Sequence, residues 1–337
     1  MSHEISSIQN EEGDAFFVGN AAWHGLGTVL DSPPTVQRAI ELAGLDWEPQ
    51  LCPMTATIEV SKMHGITQIE VPVPDKFAVL RNDNLGVIGT VGKKYKTLSN
   101  RKAFTFFNPF LEDGSANLEA AGCLHNGSKV WVLAKLTDQE GLIQQDDVVE
   151  AYLLLFNSHD GTTSVGIMFT PVRVVCQNTL SAALSRSGKK NSQIIKVSHT
   201  ASLEASLAMV QNVIDTATAD FNINLEQYRQ MRDFKIDLDG LVQYATAAIL
   251  PGKTEVDKDN LPRVISSVVE AYETGIGTEL FGEEQNLWRG YNAVTEFVDH
   301  KRGRNENSRL HASWFGVGAE IRDRAHNIAL DMVAGKL

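Results

Sequence analysis

The sequence predicts an α+β fold, with an antiparallel, β-rich N-terminal half carrying short helices and an α-helical C-terminal half. Two observations separate the halves. Between Leu51 and Phe169 the chain consists of short stretches rich in β-branched residues, punctuated by Pro, Gly and Asn-Asp turn signals. From about His199 onward, apolar residues instead recur at steps of three and four, the spacing of amphipathic helices. The division this implies is an α+β domain over residues 1–196 and a helical domain over 197–337.

In chain order, residues 35–44 read as a short helix, with Thr35 as N-cap and Gly44 as the stop. Strands are expected over 51–60, 67–73, 77–81 and 86–91, as an antiparallel meander. A helix over 99–108 follows, then strands over 117–122, 129–136 and 147–156, the last joined through Asn157-Ser158-His159-Asp160-Gly161 to a partner over 162–169. The Asp-Gly pair is a hairpin turn signal. Residues 173–187 read as helical and 186–192 as an exposed basic loop. Beyond His199, Leu203, Leu207, Val210, Ile214, Ala217 and Phe221 form one apolar stripe. Further helices are expected over 224–235, begun by an Asn224/Gln227 capping box, and over 238–249, 261–274, 284–300 and 318–334.

Composition narrows the function classes. The 337 residues, 43% of them hydrophobic, supply ample core material, and no stretch approaches the roughly 18 apolar residues of a membrane helix. The opening residues lack a basic segment followed by an apolar run, so a cytoplasmic protein without a membrane partner is expected. Cys52, Cys123 and Cys176 lie far apart without a C-x-x-C pair, which points away from a disulfide framework. The nine histidines form no H-E-x-x-H, and neither a P-loop nor a G-x-G-x-x-G follows a strand, so no metal and no cofactor is expected. The net charge of −12 is uneven: residues 201–300 carry 17 acidic and 7 basic side chains, leaving the rest of the chain close to neutral.

Three groups of residues could carry function. Lys93, Lys94, Tyr95, Lys96, Arg101 and Lys102 place basic and aromatic side chains on a strand-to-helix connection, a pattern suited to tracking and stacking on single-stranded nucleic acid. Lys301, Arg302 and Arg304 form a second basic cluster. Asn157, His159 and Asp160 in the hairpin turn, with Arg173, Gln177 and Asn178 in the following apolar run, are ligand or interface candidates, because buried polar groups demand partners. Ser158, His159 and Asp160 are adjacent in one turn and so cannot converge as a catalytic triad does. No catalytic residue is assigned.

WHGLGT at 23–28, AGLDW at 43–47, NSHDGT at 157–162, TPVRVVCQNTL at 170–180, VTEFVDH at 294–300 and SWFGVGAEIRDRA at 313–325 together resemble the domain of unknown function 932 family of phage/plasmid-like proteins. The resemblance implies a phage, prophage or plasmid setting in a bacterial host cell and carries over no activity. A helix ending in AGLDW, then a meander, then a basic connection is also similar to the β-β-β-α order of Rad52-like single-strand annealing proteins, whose likeness would imply ring assembly and a basic DNA groove.

The expected function is therefore that of a non-enzymatic, homo-oligomeric protein that binds single-stranded DNA in recombination, annealing or DNA protection. Two alternatives stay open. One is a protein-binding module acting on a host factor as an inhibitor or anti-defence protein. The other is a small-ligand-binding protein or enzyme centred on His159, Asp160 and Arg173.

Overall fold

The computed structural model describes residues 9, 13–19, 27–62, 65–144, 146–173, 194–199, 214–253, 256–257, 260–302 and 317–336. Among them the fold is α+β, as the two periodicities predict, with strands filling the first half and helices the second. A seven-stranded sheet takes the order β10-β9-β8-β7-β6-β1-β2, from β1 (Ala15–Val18), β2 (Thr28–Leu30), β6 (Ala116–Leu124), β7 (Lys129–Gln144), β8 (Asp147–Ser158), β9 (Val165–Arg173) and β10 (Ile194–Val197). Its pairings are antiparallel except β1 with β2. A separate three-stranded sheet has the order β3 (Pro49–Lys62), β4 (Gly65–Arg81), β5 (Val87–Gly92).

The register of the large sheet shows why both faces are apolar. Ala121, Val132, Leu155 and Ile167 line up across four strands, all buried, on the face that meets α1 (Val36–Leu42), α2 (Asn100–Thr105) and α3 (Asn108–Glu112). On the opposite face Trp131, Leu133, Leu154 and Met168 are buried too. Strands covered on both sides read as near-continuous apolar runs, as LLLF at 153–156 does. Phe156 needs a partner without a side chain: a Cβ on Gly166, its register mate, would lie 2.0 Å from the ring.

Caps set the short helices. Thr35 accepts a hydrogen bond from the Arg38 amide (3.3 Å) and Ser99 one from Lys102 (3.5 Å), each satisfying a first-turn donor that has no partner within the helix. The 99–108 prediction resolves into α2 and α3, the second starting next to Pro109. The 67–73 and 77–81 strands are one, β4. Pro74 falls where pairing with β3 shifts register between Pro53 and Thr55, so the missing amide donor sits in a bulge rather than ending the strand.

The second half packs α4 (Ile214–Asp233), α5 (Leu238–Ile249), α6 (Arg263–Thr274), α7 (Leu287–Glu296) and α8 (Val317–Val333) into a bundle, with one π-helical turn over Phe297–Lys301. No helix begins at Asn224: α4 runs straight through it, because Phe221, Leu225, Tyr228 and Met231 continue one buried stripe that a new cap would interrupt. Asp237 caps α5 by accepting from the Gly240 amide at 2.8 Å. The residues 174–193 and 201–213, expected to be helical or loop, lie outside those described.

The bundle and the sheet share one continuous apolar cluster. Polar bonds fix its register: the Trp288 indole N–H donates to buried Asp147 at the start of β8 (2.8 Å), and Arg229 donates to the Leu142 carbonyl at the end of β7. Replacing Asp147 with Ala strands the indole donor in a dry interior. Asp147→Ala is expected to lower unfolding stability by about 2 kcal/mol, read as a drop in the urea midpoint. An unchanged midpoint would show that this bond does not hold the bundle to the sheet.

Candidate functional site

The polar turn singled out in the sequence is at the junction of the two sheets. His159 and Asp160 follow directly on β8, and β5 crosses them so closely that a Cβ on Gly89 would lie 2.4 Å from the Asp160 Cα. His159 is fully buried. Its amide donates to the Ser128 carbonyl (2.7 Å), and its Nε2 is 2.9 Å from Asn100 Oδ1. Asn100 donates its Nδ2 to the carbonyls of Trp47 (3.0 Å) and Leu45 (3.4 Å), which turns Oδ1 toward the imidazole and requires Nε2 to carry the proton. Burial pushes the imidazole down to about 3, with His199 adding to the effect, so His159 is neutral at physiological pH.

Trp47 joins this group. Its ring centroid is 5.3 Å from that of His159, and the Arg81 guanidinium lies 4.4 Å from it. Arg81 is itself fully buried and grips Asp83 with two bonds of 2.9 and 2.6 Å, a third going to the Asn126 carbonyl at 3.2 Å. That pairing holds the Asp83 carboxyl below the usual range. Gly127 sits against both: with φ at +95° and a Cβ position 2.5 Å from the indole, only glycine fits.

The hydroxyl and carboxylate of the same turn face elsewhere. Ser158 Oγ donates to Asp160 Oδ1, which also accepts from the Thr162 amide (2.9 Å) and hydroxyl (2.6 Å). Burial raises the Asp160 carboxyl, yet these bonds outweigh it and hold the group below its ordinary value. Ser158 thus bonds Asp160 while His159 bonds Asn100, and no nucleophile–base pair exists in the turn. Of the other ligand candidates, Asn157 is buried beside His159, Arg173 closes β9 opposite Val149, and Gln177 and Asn178 lie outside the described residues.

The basic connection divides in two. Tyr95 is not a free stacking platform: its ring is stacked on His199 (4.4 Å between centroids, 20° between planes) and its hydroxyl donates to the Ser158 carbonyl (2.8 Å). Burial, then the charge of Asp160, raises its phenol well above the ordinary value. His199 closes the loop by donating Nδ1–H to the Lys96 carbonyl at 2.8 Å. Lys93 pairs with Asp75 (3.1 Å), Arg101 with Asp46 (2.8 Å), and Lys301 with Glu270 (3.0 Å). Lys102 is exposed on α2, Arg302 follows the π-helical turn, and Arg304 lies outside the described residues.

Lys94 and Lys96 are exposed and make no ion pair among the described residues. Lys76, which the sequence reading passed over, is exposed beside them: it stands opposite Gly92, immediately before the turn that carries Lys93 and Lys94. The one signal for it was its pairing register, hidden when Pro74 is taken as a strand break. Also unforeseen is a polar group within the large sheet. Lys135 bonds Glu150 (2.5 Å), Tyr152 donates to Glu150 (2.7 Å), and burial pushes nearby Glu119 up to about 7 against the pull of Lys135. A cleft of about 1280 Å³ opens at the connection to α5, where Asp233, Asp237, Glu283 and Glu284 meet Arg232 and Lys235. No three His, Cys, Asp or Glu among the described residues are placed to hold a metal ion, and no described helix is long and apolar enough to cross a membrane.

Set against known proteins, residues 87–314 match the domain of unknown function (DUF932) family, and the chain belongs to it. The matched segment takes in β5, the basic connection, the His159 turn and most of the bundle, and leaves out β3 and β4. No curated protein and no solved structure matches, so the similarity to single-strand annealing proteins is not shown.

The neutral, buried His159 makes stability depend on pH in one direction. Its folded value lies far below the roughly 6.5 of an unfolded chain, so the unfolded state takes up the proton first. The stabilisation is complete above about pH 6.5 and is lost as pH falls, by up to about 1.4 kcal/mol per pH unit. His159→Gln is expected to be less stable at pH 7.5 but to lose less on going to pH 5, measured as urea midpoints across that range. Parallel profiles for the two proteins would refute the buried neutral imidazole.

Proposed function

We propose that this chain is a non-enzymatic protein of phage or plasmid genomes that binds single-stranded DNA through its phosphates. The observation that supports the reading best is the lysine patch at the turn after β5, where Lys76, Lys94 and Lys96 are exposed and without an ion pair among the described residues and Lys93 faces one exposed carboxylate. The chain's excess acid lies in the helical half, and charges more than about 10 Å apart are largely screened at physiological salt. The patch therefore keeps a positive field of its own. Tyr95 supports it from below by anchoring the turn to Ser158 and His199 rather than by stacking on bases. The buried, hydrogen-bonded His159 turn serves in this reading as scaffold, which sets aside an enzyme centred there.

Phosphate contact by three or four lysines fixes the salt dependence. Anisotropy of a labelled single-stranded oligonucleotide should give a log–log salt slope between about −2 and −3. Lys94→Glu combined with Lys96→Glu should weaken binding at least about tenfold at low salt and flatten that slope, while Tyr95→Phe leaves it unchanged. Absence of binding at low salt, or binding indifferent to the two lysines, would sink the proposal.

A further inference from the structure

β3 and β4 run on beyond the three-stranded sheet as a two-stranded arm. From Thr55/Pro72 to Lys62/Gly65 they pair only with each other, a ribbon about 26 Å long. Side chains alternate between its faces, and up to the last two pairs at the tip the register sorts them by polarity. Ala56, Ile58 and Val60 on β3 stand opposite Val71, Ile69 and Thr67 on β4, giving one apolar face. The other face carries Thr57, Glu59, Gln68 and Glu70, with Gln68 donating to Glu59 at 3.4 Å, and then Ser61 and the exposed Ile66 near the tip. Such a ribbon is an amphipathic sheet whose apolar side stands open in part to solvent: Ile58 is 46% exposed, Val71 42% and Ile69 37%. A bare hairpin in water is marginal at best, and an exposed apolar strip of this kind marks an interaction surface.

We propose that this face is the contact by which a second copy of the chain docks, two arms packing face to face about a two-fold axis near the Ile58/Ile69 pair. Three features favour a second copy over another partner. The stripe is self-complementary, since an axis through the central isoleucines sets Val71 of one copy near Val60 of the other, as an isologous contact requires. Both glutamates, Glu59 and Glu70, lie on the face that stays in water, so pairing two identical arms brings no like charges together. The area also fits: covering six such side chains and their rims in each copy removes on the order of 1,000 Å² in total, the low end for specific association. Edge-to-edge strand addition is less suited, because Pro53, Pro72 and Pro74 remove main-chain donors near the arm's root.

The contact does not depend on DNA binding, and its test is run without nucleic acid. Sedimentation or light scattering over a concentration series should show the mass rising from one chain toward two. Ile58→Glu with Ile69→Glu should hold the protein as a monomer across that series, with a thermal midpoint close to that of the parent at the dilute end, where both are single chains and both side chains are exposed, and below it where the parent pairs. Lys94→Glu with Lys96→Glu should leave the dimer intact. In a Cys52→Ser background, Ile58→Cys should cross-link two chains under mild oxidation, and Glu70→Cys on the opposite face should not. A chain that stays monomeric throughout, a dimer indifferent to the two glutamates, or equal cross-linking from both faces would overturn the proposal.

Discussion

A guanidinium buried in an apolar junction must be bonded on every side, and Arg81 imposes that condition on everything around it. Its partners are the Asp83 carboxylate, the Asn126 carbonyl and the Trp47 ring. Removing one partner of a buried ion pair typically costs about 3–5 kcal/mol, so none of the three is free to move. To offer the Asn126 carbonyl, the chain between β6 and β7 takes three successive left-handed residues, His125, Asn126 and Gly127. To offer the indole, Trp47 must lie against Gly127, and that places the start of β3. The junction of the two sheets is thus set by one cation rather than by apolar packing alone.

His159 is the second member of the same junction and works by the opposite electrostatics. Arg81 keeps its charge because Asp83 compensates it; His159, with Arg81 and His199 nearby and no carboxylate bonded to its ring, stays neutral. Asn100 reconciles the two neighbourhoods. It reads the backbone after α1 with its amide nitrogen and the imidazole with its oxygen, so α2 is held over the turn that ends β8. The Asn-Ser-His-Asp-Gly segment looks chemical because it is polar. It is polar because several elements converge on it, each needing a hydrogen bond.

Local signals were legible in the sequence, and long-range ones were not. Thr35 announces a helix start by a mechanism that spans three residues, and the alternation of strands against the helical period separates the β-rich first half from the helical second. Pro74 misled because a missing amide donor breaks a ladder but not a bulge, and the bulge depends on what β3 does twenty residues away. Asn224 misled in the reverse sense: a good cap residue starts no helix where the buried stripe of Phe221, Leu225, Tyr228 and Met231 already continues through it. For the basic connection, spacing alone could not say that Tyr95 would meet His199, more than a hundred residues on, or that Asp75 and Asp46 would reach Lys93 and Arg101. Lys76 stood outside the cluster in sequence and beside it in space, because antiparallel pairing returns the chain to the same edge.

The arm and the lysine patch are neighbours, and the bulge between them explains how they coexist. Before the bulge at Asp75, β4 is paired with β3 only and stands off from the body; after it, from Phe77 to Leu80, the strand is paired on both sides and belongs to the body. The lysines therefore sit on rigid structure while the apolar stripe lies on the extension. Two arms joined at their central isoleucines would set the two patches at opposite ends of the pair, on the order of 40 Å apart. A compact anion could touch only one of them. An extended single strand could reach both, and two modest phosphate contacts joined through one rigid pair bind far more tightly than either alone.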